Sequence, residues 1–280
     1  MGGEMASHIH KNGLDLTVWN RSQERRQPLI DLGVAFANSL NDLGQSSDIV
    51  CLCVSKSEDV LDCLEQLTAS ARPGTLFVDH STISPAVAEQ IHLNLSNRGL
   101  RFIDAPITGG SMGAKNGTLT IFCGGEGKDI EESEPVLKCY GKTVERVGGP
   151  GAGQRMKAAN QIAVGGALLA LCESLSFAQK CGLDLAQTRR LLSGGAAGSW
   201  AFENYGPKVL NRDWTPGFSI DNQVKDFGYC EETAEGIGAA IPGTMLVHDL
   251  LVQMQAEGQG ALTTCALFDL MMRMDSDVQP

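Results

Sequence analysis

The chain has 280 residues, 42% of them apolar, which is enough to bury a sizeable core and to form two domains. Its formal charge of −11 excludes a nucleic-acid-binding role built on basic surface, and an anionic substrate needs a locally positive pocket. The longest apolar run, Ile162 to Cys172, has 11 residues, too few to span a bilayer. Neither a secretory leader nor a C-x-x-C pair is visible among nine cysteines, so reduced thiols in the cytoplasm are expected, or in an organelle if a leader is missing with the N-terminus.

In chain order, Met1-Gly2-Gly3-Glu4-Met5-Ala6 opens an amphipathic helix. Leu14 to Trp19 reads as a strand, ending in Asn20-Arg21-Ser22 with Arg25 and Arg26 close behind. Ile49 to Val54, Thr75 to Asp79, Leu100 to Ala105, Leu119 to Cys123 and Thr143 to Val147 are further strands. Cys51-Leu52-Cys53 alternates on one of these runs, as buried strand thiols rather than metal ligands, and the acidic run Glu126 to Glu134 reads as a solvated helix face. Gly149-Pro150-Gly151-Ala152-Gly153 sits between strand and helix, but its G-x-G-x-G spacing and the apolar helix that follows mark an interdomain turn. Ala152 to Cys181 then runs without proline and stops at Gly182, a helix cap. The remainder is helical, broken by a loop from Gly194 to Asn222. Strands alternating with helices, a long connecting helix and an all-helical remainder define an α/β domain followed by an all-α one. The histidines show no metal-ligand spacing beyond His8-x-His10, and no metal site is assigned.

Two segments carry the chemistry. Arg101-Phe102-Ile103-Asp104-Ala105-Pro106-Ile107-Thr108-Gly109-Gly110 is an apolar strand running into small residues that leave backbone N–H groups open to an anion. Gly151-Ala152-Gly153-Gln154-Arg155-Met156-Lys157-Ala158-Ala159-Asn160-Gln161 starts a helix with a lysine and, three and four positions on, two amides on the same side. Spacing alone leaves open whether Lys157 is a snorkelling surface residue or a buried functional cation. Together the segments resemble the β-hydroxyacid dehydrogenase family, whose members read D-A-P-[VIL]-[ST]-G-G and then G-x-G-x-x-x-K-x-x-N-[NQ]. The likeness extends over nearly the whole chain.

That resemblance implies a Rossmann-like NAD(P)-binding domain over residues 1–149 and a helical substrate and dimerisation domain over 150–280, joined by the long helix. It implies an oxidoreductase that reduces small semialdehyde or 2-oxo acids, of tartronate semialdehyde reductase or 3-hydroxyisobutyrate dehydrogenase type. Lys157 is then the general acid, Asn160 and Gln161 orient substrate and lysine, and Thr108, Gly109 and Gly110 hold the substrate carboxylate. Gly2 matches the third glycine of the family's G-[LF]-G-x-M-G, and Val54 and Ser55 stand where the family has Leu-Pro. Asp79-His80-Ser81-Thr82 matches D-x-S-T, placing Thr82 near the nicotinamide ribose, and Lys225-Asp226 matches K-D; a solvated helix-start pair is the alternative for the latter. Asn20, Arg21 and Ser22 replace the usual acid at the end of the second strand, so Arg21 is free to pair a 2′-phosphate. NADP is therefore preferred, with NAD possible and a surface arginine the alternative reading. Trp200, Phe202 and Phe218 either wall the pocket or belong to the core. The partners implied are a small anionic substrate and a second or further copy of the chain, as homodimer or homotetramer, with no nucleic acid and no membrane.

The family's first strand and first two glycines have no counterpart, since Met1-Gly2 already aligns with the start of its first helix. The expectation is a sheet lacking its central strand, with Leu14–Trp19 and Ile49–Val54 left with unpaired edges, poor NADPH binding, and a functional protein that is longer. A binding or oligomerisation protein derived from such an enzyme is the rival reading.

Overall fold

Short apolar runs and amphipathic helices alternate through the first unit of the computed structural model, which describes residues 1–274 and divides at Lys157/Ala158. The elements are α1 (Gly2–Lys11), β1 (Thr17–Val18), α2 (Gln27–Ile30), β2 (Ala35–Phe36), α3 (Leu40–Ser46), β3 (Ile49–Leu52), α4 (Ser57–Thr68) and β4 (Leu76–Asp79). They continue with α5 (Pro85–Ser96), β5 (Arg101–Asp104), β6 (Ile107–Thr108), α6 (Gly110–Asn116), β7 (Leu119–Gly124), α7 (Gly127–Leu137) and β8 (Gly141–Gly148). β4 is buried at all four positions and pairs in parallel with β3 on one side and β5 on the other, as expected of a central strand covered on both faces. β7 runs antiparallel to β5 and β6, and β8 lies parallel to β7. Met5 and Ile9, one turn apart on α1, are buried against the sheet with Leu76, Val78 and Ile121. The His8 ring Nε2 lies 3.1 Å and 3.0 Å from the carbonyls of Ala114 and Lys115, donating into the C-terminal turn of α6.

Among the described residues the strands form two separate sheets. β1 pairs only with β2, and β3 pairs only with β4, among the described residues. Leu76 and His80 donate to the carbonyls of Asp48 and Leu52, so the alternate backbone groups of Ile49 and Cys51 point to the open edge. Cys51 as a whole residue is exposed on this edge strand and Cys53 half-buried, yet the thiols themselves are buried as expected: burial pushes Cys51 up to about 12 and raises Cys53. The strand expected over Leu14–Trp19 is two residues long, Thr17–Val18, paired with β2. The acidic run is also not uniformly solvated. Asp129 is buried and accepts from Arg101 of β5 at 3.0 Å, and Glu132 pairs with the same guanidinium.

α8 (Ala152–Lys180) crosses the boundary between the units, and by length and composition alone it is apolar enough to cross a bilayer. Its Leu168, Leu171 and Leu175 are fully buried in the core of the second unit. That unit adds α9 (Leu185–Ser193), α10 (Trp200–Asn204), α11 (Gly206–Asn211), α12 (Ile220–Ile237), α13 (Pro242–Ala256) and α14 (Leu267–Met274). Phe227, Val247, Leu251 and Phe268 complete its core. The segment expected as a loop from Gly194 to Asn222 holds two short helices: Ser199 caps α10 by accepting from Phe202 N–H, and Pro207 sits in the first turn of α11.

Candidate active site

β5 delivers Asp104 to its C-terminal end, and three residues later β6 presents Ile107 and Thr108. Gly109 and Gly110 follow with φ of +122° and +63°, a backbone that only glycine adopts without strain, and both are exposed. The turn therefore shows bare backbone at the point where the motif calls for anion binding.

Lys157 is brought to this turn by the start of α8. The Asp104 carboxylate accepts from Gly151 N–H through one oxygen and from Gln154 N–H through the other, each at 2.8 Å. Gln154 also donates through Nε2 to Ser81 O at 2.8 Å and accepts from Ile83 N–H at 3.2 Å. Gly153 lies so close to the strands that an added Cβ would sit 2.4 Å from Phe122 O and 2.6 Å from Asp104 O. One turn on, Lys157 is only 7% exposed and its Nζ donates to Ile107 O at 3.0 Å. Burial pushes the Asp104 carboxyl up to about 7, against the opposing pull of the Gln154 and Gly151 N–H donors.

Within the second unit, Asn160 donates from Nδ2 to Gln161 Oε1 at 2.9 Å, and Gln161 donates from Nε2 to Asp226 Oδ2 at 2.7 Å. Lys225 Nζ lies 3.0 Å from Asp226 Oδ1 and 5.3 Å from the centre of the Tyr229 ring. Asp226 is 2% exposed, so the pair is not a solvated helix start. Phe202 is buried in the helical core, whereas Trp200 is exposed.

The expected cofactor contacts gather at the C-terminal ends of the parallel strands, where α/β sheets bind dinucleotides. Val54 N–H donates to Ser81 Oγ at 2.9 Å, joining the ends of β3 and β4 and setting Thr82 beside them. Gly2 opens α1 over the same edge, where an added Cβ would lie 3.4 Å from Cys53 Cβ. Beyond β1, Asn20 donates to Ser22 O at 2.8 Å and accepts from Arg26 Nε at 2.8 Å, while Arg21 is exposed. The residues present fit a dinucleotide at this edge.

The sequence reading passed over Asp104 and Gln154 as functional residues. A carboxylate closing an apolar strand, and an amide in the first turn of an apolar helix, were the available signals.

A family model described as the NAD binding domain of 6-phosphogluconate dehydrogenase matches residues 1–149, and one described as NAD-binding of NADP-dependent 3-hydroxyisobutyrate dehydrogenase matches residues 151–271. The probable 3-hydroxyisobutyrate dehydrogenase-like 1, mitochondrial, of Arabidopsis thaliana is 38% identical over 280 residues, covering 99% of this chain and 84% of that protein. The 2-hydroxy-3-oxopropionate reductase of Escherichia coli K12 is 32% identical over 270 residues, covering 95% and 92%. The structure of Mycobacterium tuberculosis 3-hydroxyisobutyrate dehydrogenase with L-serine matches with a TM-score of 0.88 at 27% identity, covering 97% of this chain and 95% of that one. The chain belongs to the β-hydroxyacid dehydrogenase family. Within it, the protein is an NAD(P)-dependent hydroxyacid dehydrogenase of the 3-hydroxyisobutyrate dehydrogenase and tartronate semialdehyde reductase type.

Proposed function

We propose that the protein is an NADP-preferring reductase of small semialdehyde and 2-oxo acids, tartronate semialdehyde foremost, with Lys157 as general acid. The observation that carries this reading is the buried Lys157 ammonium, held by Ile107 O immediately before Thr108-Gly109-Gly110. A buried ammonium is costly to maintain, and its position beside an open glycine turn gives it a use.

The substrate carboxylate is received at Thr108, Gly109 and Gly110, by the Thr108 hydroxyl and the backbone N–H groups of the two glycines, which fixes the carbonyl near Lys157. Lys157 Nζ hydrogen-bonds the carbonyl oxygen, stabilises the charge that develops there, and gives it a proton. The reduced nicotinamide, when bound, supplies hydride to the carbonyl carbon. Asn160 spends its N–H on Gln161, leaving its Oδ1 to accept from a substrate hydroxyl. Gly2, Val54, Ser55, Thr82 and Lys225 hold the cofactor in this reading, and Asn20, Arg21 and Ser22 set the NADP preference: no carboxylate in that run repels a 2′-phosphate, and Arg21 is exposed to pair with it. Residues 1–149 then form the cofactor domain, and residues from 150 on form the substrate domain and the contact between copies.

The test is NADPH and NADH oxidation against tartronate semialdehyde, glyoxylate and succinic semialdehyde. The expected result is the highest kcat/KM for tartronate semialdehyde with NADPH. An NADH preference, or no turnover with any of the three, contradicts the proposal.

A further inference from the structure

We infer that Asp104 is a positioning residue for Lys157, its carboxylate locking the first turn of α8 to the end of β5 so that the Lys157 ammonium meets the substrate turn. The inference rests on the reading of Lys157 as general acid.

Two chain segments run side by side here and are joined twice. Asp104 binds the α8 turn through Gly151 and Gln154 N–H, and three residues along both segments Ile107 O accepts from Lys157 Nζ. A helix start is ordinarily capped by a neighbouring side chain. This one is capped by a carboxylate 47 and 50 residues away in sequence, so the axial position of α8 is referenced to the sheet. Gly153 permits this by bringing helix backbone against Phe122 O and Asp104 O with no room for a side chain. Gln154 extends the lock to Ser81 and Ile83, the residues flanking Thr82. One clamp thus holds the lysine, the anion turn and the cofactor-side turn in register.

A fully buried carboxylate is a poor way to stabilise a fold, because its desolvation offsets much of what its hydrogen bonds contribute. It is a good way to define a distance, since its two oxygens fix two N–H groups at once. Rates of proton transfer are sensitive to such distances, a displacement of about 1 Å costing on the order of 10²-fold.

The experiment uses Asp104→Asn, which keeps the shape but turns an amide N–H toward one of the two N–H donors. Turnover should fall by roughly 10- to 100-fold. NADPH affinity, read by fluorescence titration, should stay at the wild-type value, and KM for the acid should change less than kcat. The decisive readout is the double variant with Lys157→Ala. If Asp104 acts through Lys157, Asp104→Asn/Lys157→Ala is no slower than Lys157→Ala alone. Losses that multiply, or wild-type turnover in folded Asp104→Asn, overturn the inference. Should Asp104→Asn fail to fold, Gln154→Ala loosens the same turn from its other anchor and should likewise lower turnover, with wild-type turnover again the overturning result. Full activity in Lys157→Ala itself would instead overturn the general-acid reading, and this inference with it.

Discussion

Gln161 donates through Nε2 to Asp226 Oδ2 across 2.7 Å, tying α8 to α12 within the helical unit. Asp226 is 2% exposed, so this is a charge-assisted bond away from water, and Gln161 passes its order to Asn160 through its Oε1. Gln161→Ala should therefore cost about 1.5–3 kcal/mol in urea denaturation, the range for hydrogen bonds to charged groups. KM for the acid should rise as well, since Asn160 loses its acceptor. Unchanged stability and unchanged KM would show that the relay contributes nothing.

Two buried groups should give opposite pH dependences. His80 is 2% exposed, with Nδ1–H donating to Ala105 O at 2.7 Å and Nε2 accepting from Tyr140 OH at 2.8 Å. Burial lowers it from 6.5 to about 4, so the stability linked to its neutral form is present above 6.5 and lost as pH falls toward 4. Asp104 is raised from 3.8 to about 7, so its contribution is present below 3.8 and lost as pH rises through 7. Each slope is at most ~1.4 kcal/mol per pH unit, and between 4 and 6.5 they oppose each other. Asp104→Asn should leave a stability that rises with pH across that window. His80→Gln should leave one that falls. Denaturation curves with the same slope in both variants would contradict the assignment.

Gly153→Ala should be destabilising by about 1–3 kcal/mol, because its methyl meets two backbone carbonyl oxygens that cannot rotate away. Elsewhere in a helix the same change is favourable by about 1 kcal/mol. A gain in stability on urea denaturation would mean that α8 stands further from β5 and β7 than described.

Much of this was legible in the residues. The strand expected over Thr75–Asp79 forms as Leu76–Asp79 around the apolar Leu76, Phe77 and Val78, and the helix expected over Ala152–Cys181, a run without proline, forms as Ala152–Lys180. The amphipathic helix ahead of Leu14 was legible as well, and forms as Gly2–Lys11. Less visible were features decided by distant partners. β1, β2 and β6 have two residues each and exist through pairing rather than propensity. α10 and α11 are short enough that the Gly, Trp and Pro around them dominate the pattern. Asp104 stands within its motif, but its partners lie 47 and 50 residues on.

Arg21 is exposed just beyond β1, in a run without a carboxylate. Arg21→Ala should raise KM for NADPH by roughly 10- to 150-fold, the equivalent of about 1.5–3 kcal/mol for a lost charge-assisted phosphate contact. KM for NADH should hardly move. Equal losses with both cofactors would assign Arg21 a structural role and remove the basis for NADP preference.

The central claim is that the buried Lys157 ammonium delivers the proton. Its most direct measurement is the turnover of Lys157→Ala with NADPH and tartronate semialdehyde beside the wild-type protein, with folding checked by circular dichroism. The account predicts a loss of at least ~10²-fold in kcat, the scale of a missing general acid, with a smaller change in substrate binding. A folded Lys157→Ala that turns over at the wild-type rate would contradict it.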